Sequence, residues 1–410
     1  MKKWYKLDNL GKFYAATTNV KIPKVFRYSA IMKETVDEKA LQKALNRTVE
    51  GFPNFNVNLR KGVFWYYLEE AKKIPVVTQE NMPICFRLYN SSDDFLYRIS
   101  YYKRKINFEI SHILSDGRGS IEFFKYLLTA YVNEKYGLQI SLAKSGRSEL
   151  EKSEDSFSKY YEKSSKIKKS RRLPAFTYRG KKYRNQTRFM ECHMDAKKVL
   201  DIAHEYGTTL TGLLVSVLIY SFKDEMRISD MKKHIVVDLP VDLRKYFKSN
   251  SAMNFFGLTN VSYKFKSKED SLEKVSEEVS RQLKENLTKE KLLERVNRMM
   301  AFEKNWFCRF APIHLKNLAI NIGNKIAADK NTTSISNIGI IALEPELEKY
   351  VEGLSVLTAT TGFQFILCTY GNDLCIGISS RFVQNDVIKN FCRFFSEKNL
   401  SVRIDMNEVE

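Results

Sequence analysis

The segment Ile106-Asn107-Phe108-Glu109-Ile110-Ser111-His112-Ile113-Leu114-Ser115-Asp116-Gly117-Arg118-Gly119 holds the side chains best able to do chemistry. Ile106, Phe108 and Ile110 alternate as a strand does, and His112 keeps their parity, so a continued strand carries its imidazole to the apolar side. A neutral imidazole in a partly dry pocket, with a pKa of about 6 to 7, suits removal of a proton from a hydroxyl or amine. Asp116 lies shortly after it, and Gly117 and Gly119 allow a tight turn and leave space beside the histidine. A lone histidine on an apolar strand is more often a satisfied core residue, so its surroundings must decide. His193, His204, His234 and His314 show no metal-ligand spacing with one another and read as surface or core.

The elements that must position His112 are legible around it. Asp37 can cap a helix with Ala40, Leu41, Ala44, Leu45 and Val49 on one face, ending before Gly51 and Pro53. Phe55, Val57 and Leu59 alternate, as do Val63, Trp65 and Tyr67, about a turn at Lys61-Gly62. A second hairpin runs out over Phe95 to Tyr102 and back over Ile106 to Ser111, turning at Lys103-Arg104-Lys105. Residues Gly119 to Tyr136 form an amphipathic helix stopped by Gly137. The second half starts again with a strand over Thr187 to Met194, helices over Asp195 to Tyr206 and Thr209 to Phe222, and a β-rich run from His234 to Pro240. Asp270 to Phe302 is helical, and the last hundred residues or so return to strands. Gly353 to Asn372, uncharged, reads as paired strands broken at Gly362. The expected division is a lobe over 1–150, a basic crossover over 151–183 and a lobe over 184–410.

Composition excludes several classes. The 410 residues are 43% hydrophobic and 13% aromatic, enough for large cores and more than one core usually supports. The formal net charge is +20, and Ser141 to Met190 alone holds 15 basic against 5 acidic residues. Charge gathered into one Ser/Lys/Arg-rich stretch, without interleaved stacking aromatics, argues against nucleic acid. It suits a solvated linker, or a patch that attracts an acidic partner or an anionic membrane surface. Met1-Lys2-Lys3-Trp4-Tyr5-Lys6 shows no apolar leader, and the six Cys form no CxxC pair, so a reducing cytoplasm is the expected compartment. Nucleotide-binding glycine loops and the Gly-x-Ser-x-Gly elbow are missing from the sequence.

His-x-x-x-Asp-Gly, set between a strand and an amphipathic helix, resembles the signature of the chloramphenicol acetyltransferase-like superfamily of CoA-dependent acyltransferases. Leu239-Pro240-Val241-Asp242-Leu243-Arg244 and Met253-Asn254-Phe255-Phe256-Gly257 are similar to a second-lobe region of that family. Ser336-Asn337-Ile338-Gly339 is similar to a segment of its bacterial alcohol acetyltransferase branch. The resemblance implies an α/β fold of two pseudo-symmetric lobes, each a mixed sheet flanked by helices, with an active-site tunnel between them. It implies His112 as general base, Asp116 as an architectural residue paired with Arg244, and Gly117 as the residue that keeps the tunnel open. Ser336 or Asn337 would serve the oxyanion. The co-substrate implied is acyl-CoA or an acyl-phosphopantetheine on a carrier protein, with no bound cofactor, no metal, no covalent acyl-enzyme and a monomeric chain. Condensation domains usually carry a second histidine just before the motif histidine; here that position is Ser111. This favours an alcohol acceptor over an amine. The plant branch's Asp-Phe-Gly-Trp-Gly motif has no counterpart in the sequence. A stand-alone condensation enzyme and a non-catalytic carrier- or lipid-binding member of the fold are the alternatives.

Overall fold

The computed structural model describes residues 3–142, 154–162, 174–184, 186–267, 269–305, 310–328 and 331–409. In the first half the elements run β1 Trp4–Lys6, α1 Asn9–Thr17, β2 Val25–Met32, α2 Glu38–Gly51, β3 Val57–Lys61, β4 Tyr66–Glu70, β5 Thr78–Gln79, β6 Tyr97–Tyr102, β7 Lys105–Ser111 and α3 Gly117–Tyr136. They continue with α4 Ser156–Tyr160, β8 Arg188–Asp195, α5 Ala196–Glu205, α6 Leu210–Ser221, β9 Ile235–Asp242, β10 Phe256–Tyr263, α7 Leu272–Asn286 and α8 Lys289–Lys304. The chain closes with α9 Ile313–Ala328, β11 Thr333–Ile340, α10 Pro345–Glu348, β12 Val351–Thr358, β13 Phe363–Tyr370, β14 Asp373–Ser380, α11 Asp386–Glu397 and β15 Arg403–Met406.

Local chemistry accounts for the helices nearest the motif. The Asp37 carboxylate accepts from the Ala40 N–H at 2.8 Å and starts α2, which buries Leu41, Leu45 and Val49. Asp116 caps α3 in the same way through Gly119, two residues earlier than the apolar period suggests, and Gly137 ends the helix at φ 65°. Together α2 and α3 cover a five-stranded sheet in the order β12-β2-β7-β6-β5. The second sheet has seven strands in the order β10-β9-β11-β13-β14-β8-β15, with α5, α6, α7 and α11 over its own core. A small three-stranded sheet, β1-β4-β3, sits beside them. This is the mixed α/β, two-lobed architecture expected.

Four features depart from the sequence expectations. First, both faces of β7 are buried, because it is a central strand; its second face carries Asn107 and Glu109, the latter paired with Arg27 at 2.8 Å and with Arg98. Second, the strands of the uncharged run Gly353 to Asn372 do not pair with each other. β12 pairs antiparallel with β2 in the first sheet, whereas β13 lies between β11 and β14 in the second. The chain after residue 184 therefore supplies an edge strand to the first sheet, and the two lobes are not consecutive stretches of sequence. Third, the helical stretch from Asp270 breaks into α7 and α8, and α9 lies where only strands were expected. Fourth, the described parts of the crossover are anchored. Phe157 is buried 5.2 Å from Phe255, and Phe176 N–H donates to the His234 carbonyl at 2.7 Å. Lys163, Lys166, Lys168, Lys169, Arg171 and Arg172, the densest part of the basic stretch, lie outside the described residues.

Strand register brings the two halves of the site together. Ser111, the last residue of β7, faces Val25 at the start of β2, so His112 emerges beside Lys24. Phe256, the first residue of β10, faces Asp242 at the end of β9, so the chain on either side of this pair, Arg244 and Asn254, gathers at one end of the second sheet.

Candidate active site

His112 is held by its backbone from both lobes. Its N–H donates to the Lys24 carbonyl at 3.0 Å, and its carbonyl accepts from Asn254 Nδ2 at 3.0 Å. Although β7 ends one residue earlier, the ring stays on the apolar side. It lies 4.5 Å from the Phe26 ring, is stacked on Tyr14 at 5.1 Å, and has Phe256 at 6.3 Å between centroids. Burial, reinforced by the nearby Lys24 ammonium, pushes the imidazole down to about 4, against the opposing pull of Asp116. Lys24 has a left-handed backbone, φ 52°, and its ammonium sits 5.7 Å from the Tyr14 ring centroid. Burial lowers the pKa of that ammonium as well.

Asp116 turns away from this ring and is fully engaged. One carboxylate oxygen accepts from the Gly119 N–H at 2.8 Å; the other accepts from the Phe255 N–H at 2.7 Å and from Arg244 Nη1 at 2.9 Å. Arg244 spends its remaining donors on Asp242 and on the Ser251 and Met253 carbonyls. The structure thus brings together the aspartate and the arginine that the sequence set 128 residues apart. It also shows what the pair holds. The 251–253 loop delivers Asn254, whose backbone N–H and side-chain Nδ2 both donate to Asp8 Oδ2 at 3.0 Å while Nδ2 also grips His112. Asp8 caps α1 through Gly11, and burial pushes its carboxyl up to about 7. Sequence reasoning missed Asp8, Tyr14, Lys24 and the role of Asn254. The signal for Asn254 was its place in the second-lobe segment; a capping Asp8 before an apolar turn gave no hint of a distant partner.

The two motif glycines serve close approach. A Cβ on Gly119 would lie 2.1 Å from the Ala252 carbonyl oxygen, backbone that cannot yield, so the second-lobe loop seats directly on the first turn of α3. A Cβ on Gly117 would meet the Ile338 side chain at 2.6 Å. Gly117 therefore makes room for a side chain rather than keeping a channel clear, and the Ser-Asn-Ile-Gly segment lies over the motif through Ile338. Within that segment Asn337 directs Nδ2 to Thr211 Oγ1 at 2.9 Å, and its Oδ1 accepts from the Gly339 N–H. Ser336 is half-buried on β11.

A cavity of about 790 Å³ opens beside this centre, lined by Trp4, Leu7, Lys12, Trp65 and Glu303 among others. Among the described residues, neither this cavity nor the other prominent one is lined by His112. α1 forms the partition: Lys12 faces the cavity and Tyr14 stacks on the imidazole. Tyr14, Phe26 and Phe256 surround the imidazole, and Ile338 lies over Gly117.

No family model matches the sequence, and no curated protein matches it. Solved structures do match. The first condensation domain of the CDA synthetase aligns with TM-score 0.64 and 11% identity, over 96% of this chain and 96% of that one. Polyketide synthase associated protein 5 from Mycobacterium tuberculosis aligns with TM-score 0.61 and 11% identity, over 96% of each chain. F. graminearum TRI101, in a structure with coenzyme A and T-2 mycotoxin, aligns with TM-score 0.61 and 11% identity, over 98% of this chain and 99% of that one. Likeness over nearly the whole length at such low identity is likeness of fold, and the fold of this chain is the two-lobed fold shared by a condensation domain, the TRI3 trichothecene 15-O-acetyltransferase and TRI101.

Proposed function

We propose that the chain is an O-acyltransferase that moves an acyl group from acyl-CoA, or from an acyl-phosphopantetheine on a carrier protein, to the hydroxyl of an acceptor. The observation that carries this reading is His112: a neutral imidazole in an aromatic pocket, its backbone clamped from both lobes, on a fold that one solved counterpart uses in complex with coenzyme A. The hydroxyl loses its proton to the imidazole as its oxygen bonds to the thioester carbonyl carbon. The tetrahedral intermediate then collapses with cleavage of the C–S bond, and the proton leaves with the thiol. Asp116, Arg244 and Asn254 are positioning residues in this scheme. The segment over Gly117 is the source of an oxyanion donor, and Ser336 is the better candidate, because the Asn337 amide is engaged with Thr211. Ser111, in place of a second histidine, has its hydroxyl tied to the Ile113 N–H, which supports an alcohol acceptor over an amine. The chain incubated with acetyl-CoA and longer acyl-CoAs, with alcohols and amines side by side, should release thiol in an alcohol-dependent way. Thiol release that no acceptor stimulates, with any donor, would reject the reading.

The depressed pKa of His112 gives a second expectation. A base works when deprotonated, so kcat/KM should hold steady from neutral pH down to about 5 and fall only as pH approaches about 4. Because the Lys24 charge helps hold the pKa down, Lys24→Met should move this acidic limb to higher pH. A limb near the ordinary histidine value in both proteins would show that the ring is not buried as described.

A further inference from the structure

α9 turns the wrong face outward for a surface helix. Its inward side carries Ile313 and the buried Lys316, whose ammonium donates to the Phe64 carbonyl and lies 3.4 Å from the Trp65 ring centroid. Outward stand Leu315 and Leu318, each 60% exposed, with Ile322 at 54% and Ile326 at 50%. Their spacing of three, four and four residues lines them up in one stripe along the helix. The hairpin tip between β3 and β4 adds two more apolar side chains at the same end: Val63, 72% exposed, and Phe64. Val63 is bound to α9, its carbonyl accepting from the Ile313 N–H at 3.0 Å. Isolated exposed leucines need no explanation, but an aligned stripe continued onto a neighbouring turn marks a contact surface.

Charge selects the occupant. Residues 313–328 contain no Asp or Glu; Lys316 is turned inward, but Lys325 is exposed, and the chain carries a net +20. Two copies of so basic a chain repel each other, whereas an anionic lipid surface attracts it. At 16 residues α9 is shorter than the about 20 a spanning helix needs, so its contact with a bilayer would lie in the interface plane. We propose that the outward face of α9, with the 62–65 hairpin tip, docks the protein onto an anionic lipid bilayer. The proposal does not depend on acyl transfer, since binding is read without turnover.

The test is flotation of the full chain with phosphatidylcholine vesicles, with and without phosphatidylglycerol. The wild type should float with the anionic vesicles, and added salt should weaken that binding. Leu318→Ser/Ile322→Ser, at positions more than half exposed, should melt like the wild type yet lower the bound fraction by about tenfold. Absence of binding to anionic vesicles at low salt overturns the proposal. So does binding that the double substitution leaves unchanged, which would place the attachment in basic residues alone. A concentration-dependent dimer in sedimentation velocity that the double substitution abolishes, without vesicle binding, overturns it in favour of a second copy of the chain.

Discussion

Replacing His112 with alanine lowers acyl transfer by about two to four orders of magnitude, the usual contribution of a positioned general base, and leaves thermal melting near the wild type. The second half of that expectation follows from how the residue is held. Both anchors of His112 are backbone groups, its N–H on the Lys24 carbonyl and its carbonyl on Asn254 Nδ2, and neither needs the imidazole. The ring contributes contacts with Tyr14, Phe26 and Phe256, and truncation removes those contacts while leaving both backbone anchors in place. Loss of turnover with intact melting would separate chemistry from packing. His112→Asn, which keeps some bulk and polarity without a comparable base, should be as inactive as the alanine variant. Turnover within a few-fold of wild type in either variant would remove the histidine from the reaction and leave a binding member of the fold as the better reading.

The histidine and its strand were legible because two local signals coincide there. Alternation at Ile106, Phe108 and Ile110 gave which way residue 112 points, and the apolar period after Gly119 gave the helix that follows, although the Asp116 cap starts α3 two residues earlier, at Gly117. The pairing of Asp116 with Arg244 came through family resemblance, since no periodicity links residues so far apart. What the sequence hid is long-range in the same sense. β12 joins the first sheet because its partner is the β2 edge, a matter of register with a strand more than three hundred residues away. The seating of Ala252 on Gly119 and of Ile338 on Gly117 depends on how the lobes close, not on local propensity. α9 escaped notice for a different reason. Its Asn- and Gly-containing sequence is a weak helix former, and its apolar stripe faces solvent, so the usual inference from amphipathic spacing to a core-facing helix does not apply.

Arg244→Ala should cost about 3–5 kcal/mol of stability, a large share of what a domain has to lose. Asp116 and Arg244 are both nearly inaccessible, with side chains 6% and 10% exposed, so little solvent screens their interaction. Removing the guanidinium leaves the carboxylate with its two N–H donors but no countercharge, and strips donors from the Ser251 and Met253 carbonyls in one step. The damage should run onward to the reaction. Without its anchor the 251–253 loop no longer presents Asn254, and the clamp on the His112 carbonyl loosens. At temperatures where the variant remains folded, kcat should therefore fall while the acidic limb of the pH profile shifts, a change that lost stability alone does not produce. Arg244→Lys should rescue little, because one ammonium cannot span Asp116, Asp242 and two carbonyls. Asp116→Ala/Arg244→Ala should be less destabilised than the two single variants summed, since the buried charge goes with its partner. Wild-type melting of Arg244→Ala, or strict additivity in that cycle, would mean that the lobes are joined by packing around Gly119 and not by the ion pair.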